Sequence, residues 1–113
     1  YSDTARLIAN TWKEIGVETK IEEVDSRPDV FQVYLGDFNV PEDPDQYALW
    51  HQHQINNITR YVDLRVDKLL EDGRKTTDMT KRQELYYDFQ KYLLEDSPAA
   101  FLYFPYEYEV ARK

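Results

Sequence analysis

His51 and His53 stand two residues apart, so on an extended segment both imidazoles point the same way and could share a metal ion. A metal site usually takes three or more protein ligands, and this chain has only two histidines and no cysteine. An Asp or Glu would have to complete the set, and partly exposed loop histidines fit the same pattern, so no metal site is expected. Glu42, Asp43 and Asp45 could furnish the acid and base of a glycosidase. That chemistry needs one carboxyl in an apolar setting and one in a wet one, whereas acids clustered on a loop stay solvated. Ser2, Ser26 and Ser97 sit in cap or turn contexts without a GxSxG elbow, and the three glycines are too scattered to cradle a phosphate. With no catalytic constellation, the chain reads as a non-enzyme without a cofactor.

The same stretch suits binding better. From Asp37 to Asp63 it has neither helical nor strand periodicity over most of its length, and loops that long are usually functional or disordered. Phe38, Tyr47, Trp50 and Tyr61 argue against disorder. Rings beside amides, here Phe38, Asn39, Tyr47, Trp50, Asn56 and Asn57, are what a cleft uses to hold a polar, partly apolar solute. Trp50 could equally plug the core beneath the loop, because it falls at the end of a short helical pattern.

Three helices and several strands must position that loop. Ser2 or Asp3 can cap a first helix, whose Ala5, Ile8, Trp12 and Ile15 form one apolar stripe expected to be buried, with Gly16 as the left-handed stop. Residues 17–24 alternate as a half-buried strand, and 30–35 (VFQVYL) reads as a second strand ended by Gly36. Within the loop, PDQYALW (44–50) predicts a short helix with Asp43 as a possible cap. Asp63 can cap a helix over 64–75, with Val66, Leu69 and Leu70 inward and Gly73 near its end. Another is predicted over 80–95, opened by a Thr80/Gln83 capping box, lined by Leu85, Phe89, Tyr92 and Leu93, and stopped by Pro98. Residues 100–110 alternate as a last strand, with Glu107 and Glu109 on its wet face and Pro105 at an edge or bulge.

Length allows one domain, 1–113, and a net charge of -8 would repel nucleic acid and anionic lipid alike. No apolar run reaches the ~20 residues that cross a bilayer. The first residue is not Met and the chain opens almost at once into a helix, which suggests a piece of a longer protein.

The segments 6–22 (RLIANTWKEIGVETKIE), 43–50 (DPDQYALW), 57–75 (NITRYVDLRVDKLLEDGRK) and 81–110 (KRQELYYDFQKYLLEDSPAAFLYFPYEYEV) follow one another in a familiar order. Together they resemble the C-terminal portion of family 5 extracellular solute-binding proteins, the peptide-, dipeptide- and nickel-type receptors of ABC importers. The resemblance implies part of the second lobe of a type II periplasmic-binding-protein fold, a solute held between two lobes, and a membrane permease that receives it. It also implies a periplasmic or extracellular location, membrane-associated through the parent protein, and an isolated fragment that binds weakly or not at all. Peptide-binding members carry an Asp in a Gly-Trp-x-x-Asp stretch that anchors the ligand's amino group. Matching on Gly36 and Pro44 puts Asp37 at the Trp position and Val40 at that Asp, so Asp37 is the nearest substitute. An oligosaccharide would instead stack on Tyr47 and Trp50 and hydrogen-bond to Asn39.

The expected architecture is therefore α/β, three principal helices on a mixed sheet of three or four strands. Its expected function is recognition of an oligopeptide or oligosaccharide for ABC import, with Asp37, Phe38, Asn39, Tyr47 and Trp50 as ligand contacts. The expected partners are the solute, the permease and the remaining lobe of the parent. The rival reading is a stand-alone interaction domain using Tyr103, Tyr106 and Tyr108, and a glycosidase ranks third.

Overall fold

In the computed structural model, which describes residues 1–106 and 108–111, the elements are α1 (Ser2–Glu14), α2 (Tyr47–Trp50), α3 (Leu64–Lys75) and α4 (Met79–Asp96). No strand forms among the described residues, so the expected mixed sheet, and with it the α/β class, is corrected to an all-α arrangement joined by extended segments. The reason lies in what alternation encodes. A period of two gives a segment two faces, but a strand exists only where a second backbone pairs with its N–H and C=O groups. Residues 17–24 and 100–106 have the pattern and run without that ladder, while 30–35 bends instead, with Phe31 and Tyr34 in a tilted ring contact of 5.5 Å. Glu107, expected on the wet face of the last strand, lies outside the described residues.

The chain divides into two compact units, 1–40 and 41–113. In the first, α1 opens at Tyr1, one residue before the expected caps, and ends on Gly16 at φ +84°, the left-handed stop that its sequence predicts. Its stripe is only half-buried at Ala5, Ile8 and Trp12, and Ile15 is exposed, so the expected buried face is not realised. Ser2 donates to Glu23 at 2.7 Å, and the Tyr1 hydroxyl donates to Asp37.

The second unit holds the core. Asp63 caps α3, accepting from the Arg65 and Val66 N–H groups at 2.7 and 3.3 Å, which fixes the helix at its expected first residue. Val66 and Leu70, one turn apart, are fully buried and meet Trp50, Tyr86, Phe89 and Leu93. Burying each such aliphatic side chain is worth about 1.5–3 kcal/mol. Asp78, rather than the expected Thr80, caps α4 by accepting from Lys81 N–H at 3.0 Å. Ser97 in the left-handed conformation, followed by Pro98, ends it. Gly73 lets α3 and α4 approach, since a Cβ there would stand 3.2 Å from the Tyr86 ring.

The cap also sets a pH dependence. The Arg65 guanidinium, and after it the backbone N–H groups that Asp63 accepts, hold the Asp63 carboxyl down to about 2 against the opposing effect of burial. A carboxyl depressed in the folded state stabilises fully above its unfolded value near 4, and that contribution disappears as pH falls through the folded value. Asp63→Asn, which keeps a capping oxygen but no charge, should therefore be less stable than the parent at pH 6 by about 1–2 kcal/mol. Urea unfolding followed by helical circular dichroism should show the gap closing as pH drops from about 4 to about 2. A gap that persists below pH 2 would contradict this assignment.

Candidate binding site

The irregular segment after α2 is held by buried polar side chains rather than by regular structure. Asn57, 7% exposed, donates through Nδ2 to the Tyr61 carbonyl at 2.8 Å and more loosely, at 3.5 Å, to those of Trp50 and His51. The buried Asp67 of α3 accepts the Gln52 N–H at 3.0 Å, and its second oxygen has no partner. Asparagine and aspartate can do this because each offers the backbone the donor or acceptor that a neighbouring strand would otherwise supply. Thr59 donates to Asn57 Oδ1 at 3.0 Å, and Arg60 turns the chain at φ +56°. The Tyr61 hydroxyl donates to Asp96 at 2.6 Å, and burial, with that bond second, raises its pKa well above the usual phenol value.

His51 is also buried. Its Nδ1 accepts the His53 N–H at 3.3 Å, so the ring proton lies on Nε2, 3.4 Å from Glu71 Oε1. The imidazole stacks on Tyr47 at 4.3 Å. The two histidine rings are 5.5 Å apart and tilted, and no cluster of three or more metal-ligating side chains occurs among the described residues.

Upstream, residues 41–46 are strapped to α3 and α4 by charge. Asp45 Oδ1 accepts the Tyr47 N–H at 3.0 Å, so Asp45, not the expected Asp43, serves the start of α2, which is shorter than 44–50. Arg74 Nε donates to Asp45 at 2.7 Å, and Arg82 donates to Asp43 at 2.7 Å and to the Gly73 carbonyl at 3.1 Å. The Arg82 hydrogen bond lowers the pKa of Asp43. Together with Pro41, these four charged residues line an open depression of about 460 Å³. A second groove, about 540 Å³, runs along α4 past Pro44, Met79 and Tyr87.

Of the expected ligand contacts, Asp37, Phe38 and Asn39 are exposed in the first unit. Tyr47, in the second, is half-buried, its ring covered by the Arg74 guanidinium at 4.3 Å. Trp50 is 4% exposed and sits in the core, the alternative that its helical spacing had left open. Sequence reasoning missed Arg74, Arg82 and Asp67. Opposite charges on 43–45 and on the two helices were the available signal for the arginines. An aspartate beside Val66 on an otherwise apolar face was the signal for Asp67.

The resemblance to family 5 solute-binding proteins holds: over about nine tenths of its length this chain is a relative of bacterial peptide-binding proteins. It is 27% identical over 115 residues to the oligopeptide-binding protein AppA of Bacillus subtilis (strain 168), covering 91% of this chain and 21% of that protein. It is 30% identical over 114 residues to di/tripeptide-binding protein 1 of Pseudomonas aeruginosa (strain UCBPP-PA14), covering 87% and 21%. Protein XP55 of Streptomyces lividans is 32% identical over 110 residues, covering 88% and 20%. The chain thus spans about a fifth of the length of the curated relatives it matches. No protein-family model matches it, and no solved structure does. No helix of the described residues is long and apolar enough to cross a membrane.

Asn57 gives the local test. Asn57→Ala removes the donor from three carbonyls and should destabilise the protein by about 1–3 kcal/mol, read as a lower urea midpoint. Amide exchange should quicken at 51–61 more than in α4. Uniform acceleration across both would show that Asn57 supports the whole core and not this segment.

Proposed function

We propose that this chain forms part of the C-terminal lobe of an extracytoplasmic solute-binding protein and supplies one side of a cleft that recognises short peptides for an ABC permease. The observation that carries the proposal is the sequence similarity, along nearly all of this chain, to proteins named for binding oligopeptides, dipeptides and tripeptides. Those names favour a peptide over an oligosaccharide. The chemistry is recognition without turnover, as the relatives' names describe binding proteins, and it draws on charge pairs, amides and rings. Asp37, Phe38, Asn39 and Tyr47 are the proposed ligand contacts, and Trp50 supports Tyr47 from within the core. Lobe closure around the peptide would create the form that the permease selects.

A second reading keeps one observation in its favour. Tyr103, Tyr106 and Tyr108 are 61%, 87% and 84% exposed, as an adhesive surface requires.

A ligand that binds only the native state raises the melting temperature by mass action. The protein, in the longest form its source produces, should melt at a higher temperature with di- and tripeptides and not with oligosaccharides. A shift with sugars alone, or hydrolysis of any peptide, would overturn the proposal. Self-association that vanishes in a Tyr106→Ser/Tyr108→Ser double variant, without any peptide-induced shift, would favour the second reading.

A further inference from the structure

His51 is buried, 4% exposed, and stands outside the proposed ligand contacts. Its two ring nitrogens serve different neighbours. Nδ1 accepts the His53 N–H at 3.3 Å, and Nε2 lies 3.4 Å from Glu71 Oε1 of α3. The first of these closes a turn that continues as Gln54 N–H donating to the His51 carbonyl at 3.0 Å and Asn57 N–H to the Gln54 carbonyl at 3.1 Å. Gln52, between the histidines, is anchored differently, its N–H donating to Asp67 of α3 at 3.0 Å. Successive amides of one turn thus depend on unlike acceptors, a carboxylate for Gln52 and an imidazole nitrogen for His53.

An imidazole nitrogen accepts only while the ring is neutral, and a protonated ring donates from both nitrogens. A second proton on His51 would set an Nδ1–H against the His53 N–H, and that bond would break. The same proton turns the contact between Nε2–H and Glu71 into a charge-assisted bond, roughly twice as strong as a neutral one. The ring therefore stays on α3 while the turn is released. The other groups around it are Tyr47 of α2, stacked at 4.3 Å, the His53 ring at 5.5 Å, and Asp67, one turn before Glu71 on α3. Lys75 Nζ lies 3.9 Å from Glu71 Oε2, and the Arg74 guanidinium covers Tyr47 at 4.3 Å.

We propose that His51 is a proton-operated latch: neutral, it closes the turn at 51–54, and protonated, it stays paired with Glu71 and lets that turn open. Acid then loosens the entry to the irregular segment that Asn57 holds, without unfolding α3 or α4. The latch goes beyond peptide recognition and does not depend on it.

Amide hydrogen exchange of the whole chain at about pH 7.5 and about pH 5, which bracket the usual charging of an imidazole, tests it, each rate being divided by the intrinsic rate at that pH. Protection at His53 and Gln54 should fall by about two- to tenfold at the lower pH, the range for one lost hydrogen bond, while Gln52 and the middle of α4 keep theirs. Imidazole nitrogen chemical shifts should place the His51 proton on Nε2 alone at the higher pH and on both nitrogens at the lower. His51→Asn, whose side-chain oxygen can accept from the His53 N–H and does not titrate, should keep that amide protected at both pH values. His53→Gln should leave the pH response unchanged. Melting curves establish that the variants fold, and if His51→Asn does not, the contrast between Gln52 and His53 in the parent decides. Protection at His53 that ignores pH, a loss shared equally by Gln52 and α4, or a response that survives in His51→Asn or vanishes in His53→Gln would overturn the latch.

Discussion

The second unit depends on α3 keeping Val66 and Leu70 dry. They are the largest fully buried side chains, and what surrounds them comes from both sides in sequence: Trp50 from α2, and Tyr86, Phe89 and Leu93 from α4. Because interiors are packed at the density of organic crystals, the seating of Trp50 against this pair fixes where α2 ends and where the irregular segment begins. Asp63 at one end of α3 and Gly73 near the other then decide the helix's start and its closeness to α4.

Polar groups take over where apolar packing stops. Residues 51–61 contain no helix or strand, so their backbone groups need other partners, and Asn57, Asp67 and Thr59 provide them. The 41–46 segment uses ion pairs instead. Exposed pairs of this kind contribute little to stability, typically about 0–1 kcal/mol, which makes them suited to positioning rather than to holding the fold together. A recognition surface can form at that boundary, with a rigid helical pair below and exchangeable charges above.

Helices were legible in the sequence wherever a cap and a stripe agreed. Asp63 and the Val66/Leu70 spacing located α3 to the residue, and the apolar face of α4 located that helix to within a residue at each end. The sheet was misread, because alternation at 17–24 and 100–110 reports a preference for extended backbone and not the presence of a partner. Trp50 was ambiguous for a related reason, since an aromatic at helical spacing has the same pattern whether it meets a core or a ligand. The ion-pair strap joins residues 29 and 39 positions apart, a separation that no local pattern encodes.

Amide chemical-shift mapping of the protein during titration with dialanine tests the central claim most directly. The account assigns the ligand contacts to Asp37, Phe38, Asn39 and Tyr47, so the perturbed amides should fall at 37–39 and around Tyr47 and leave the middle of α4 unchanged. Shifts confined to residues outside these segments, or spread evenly over both units, would contradict it.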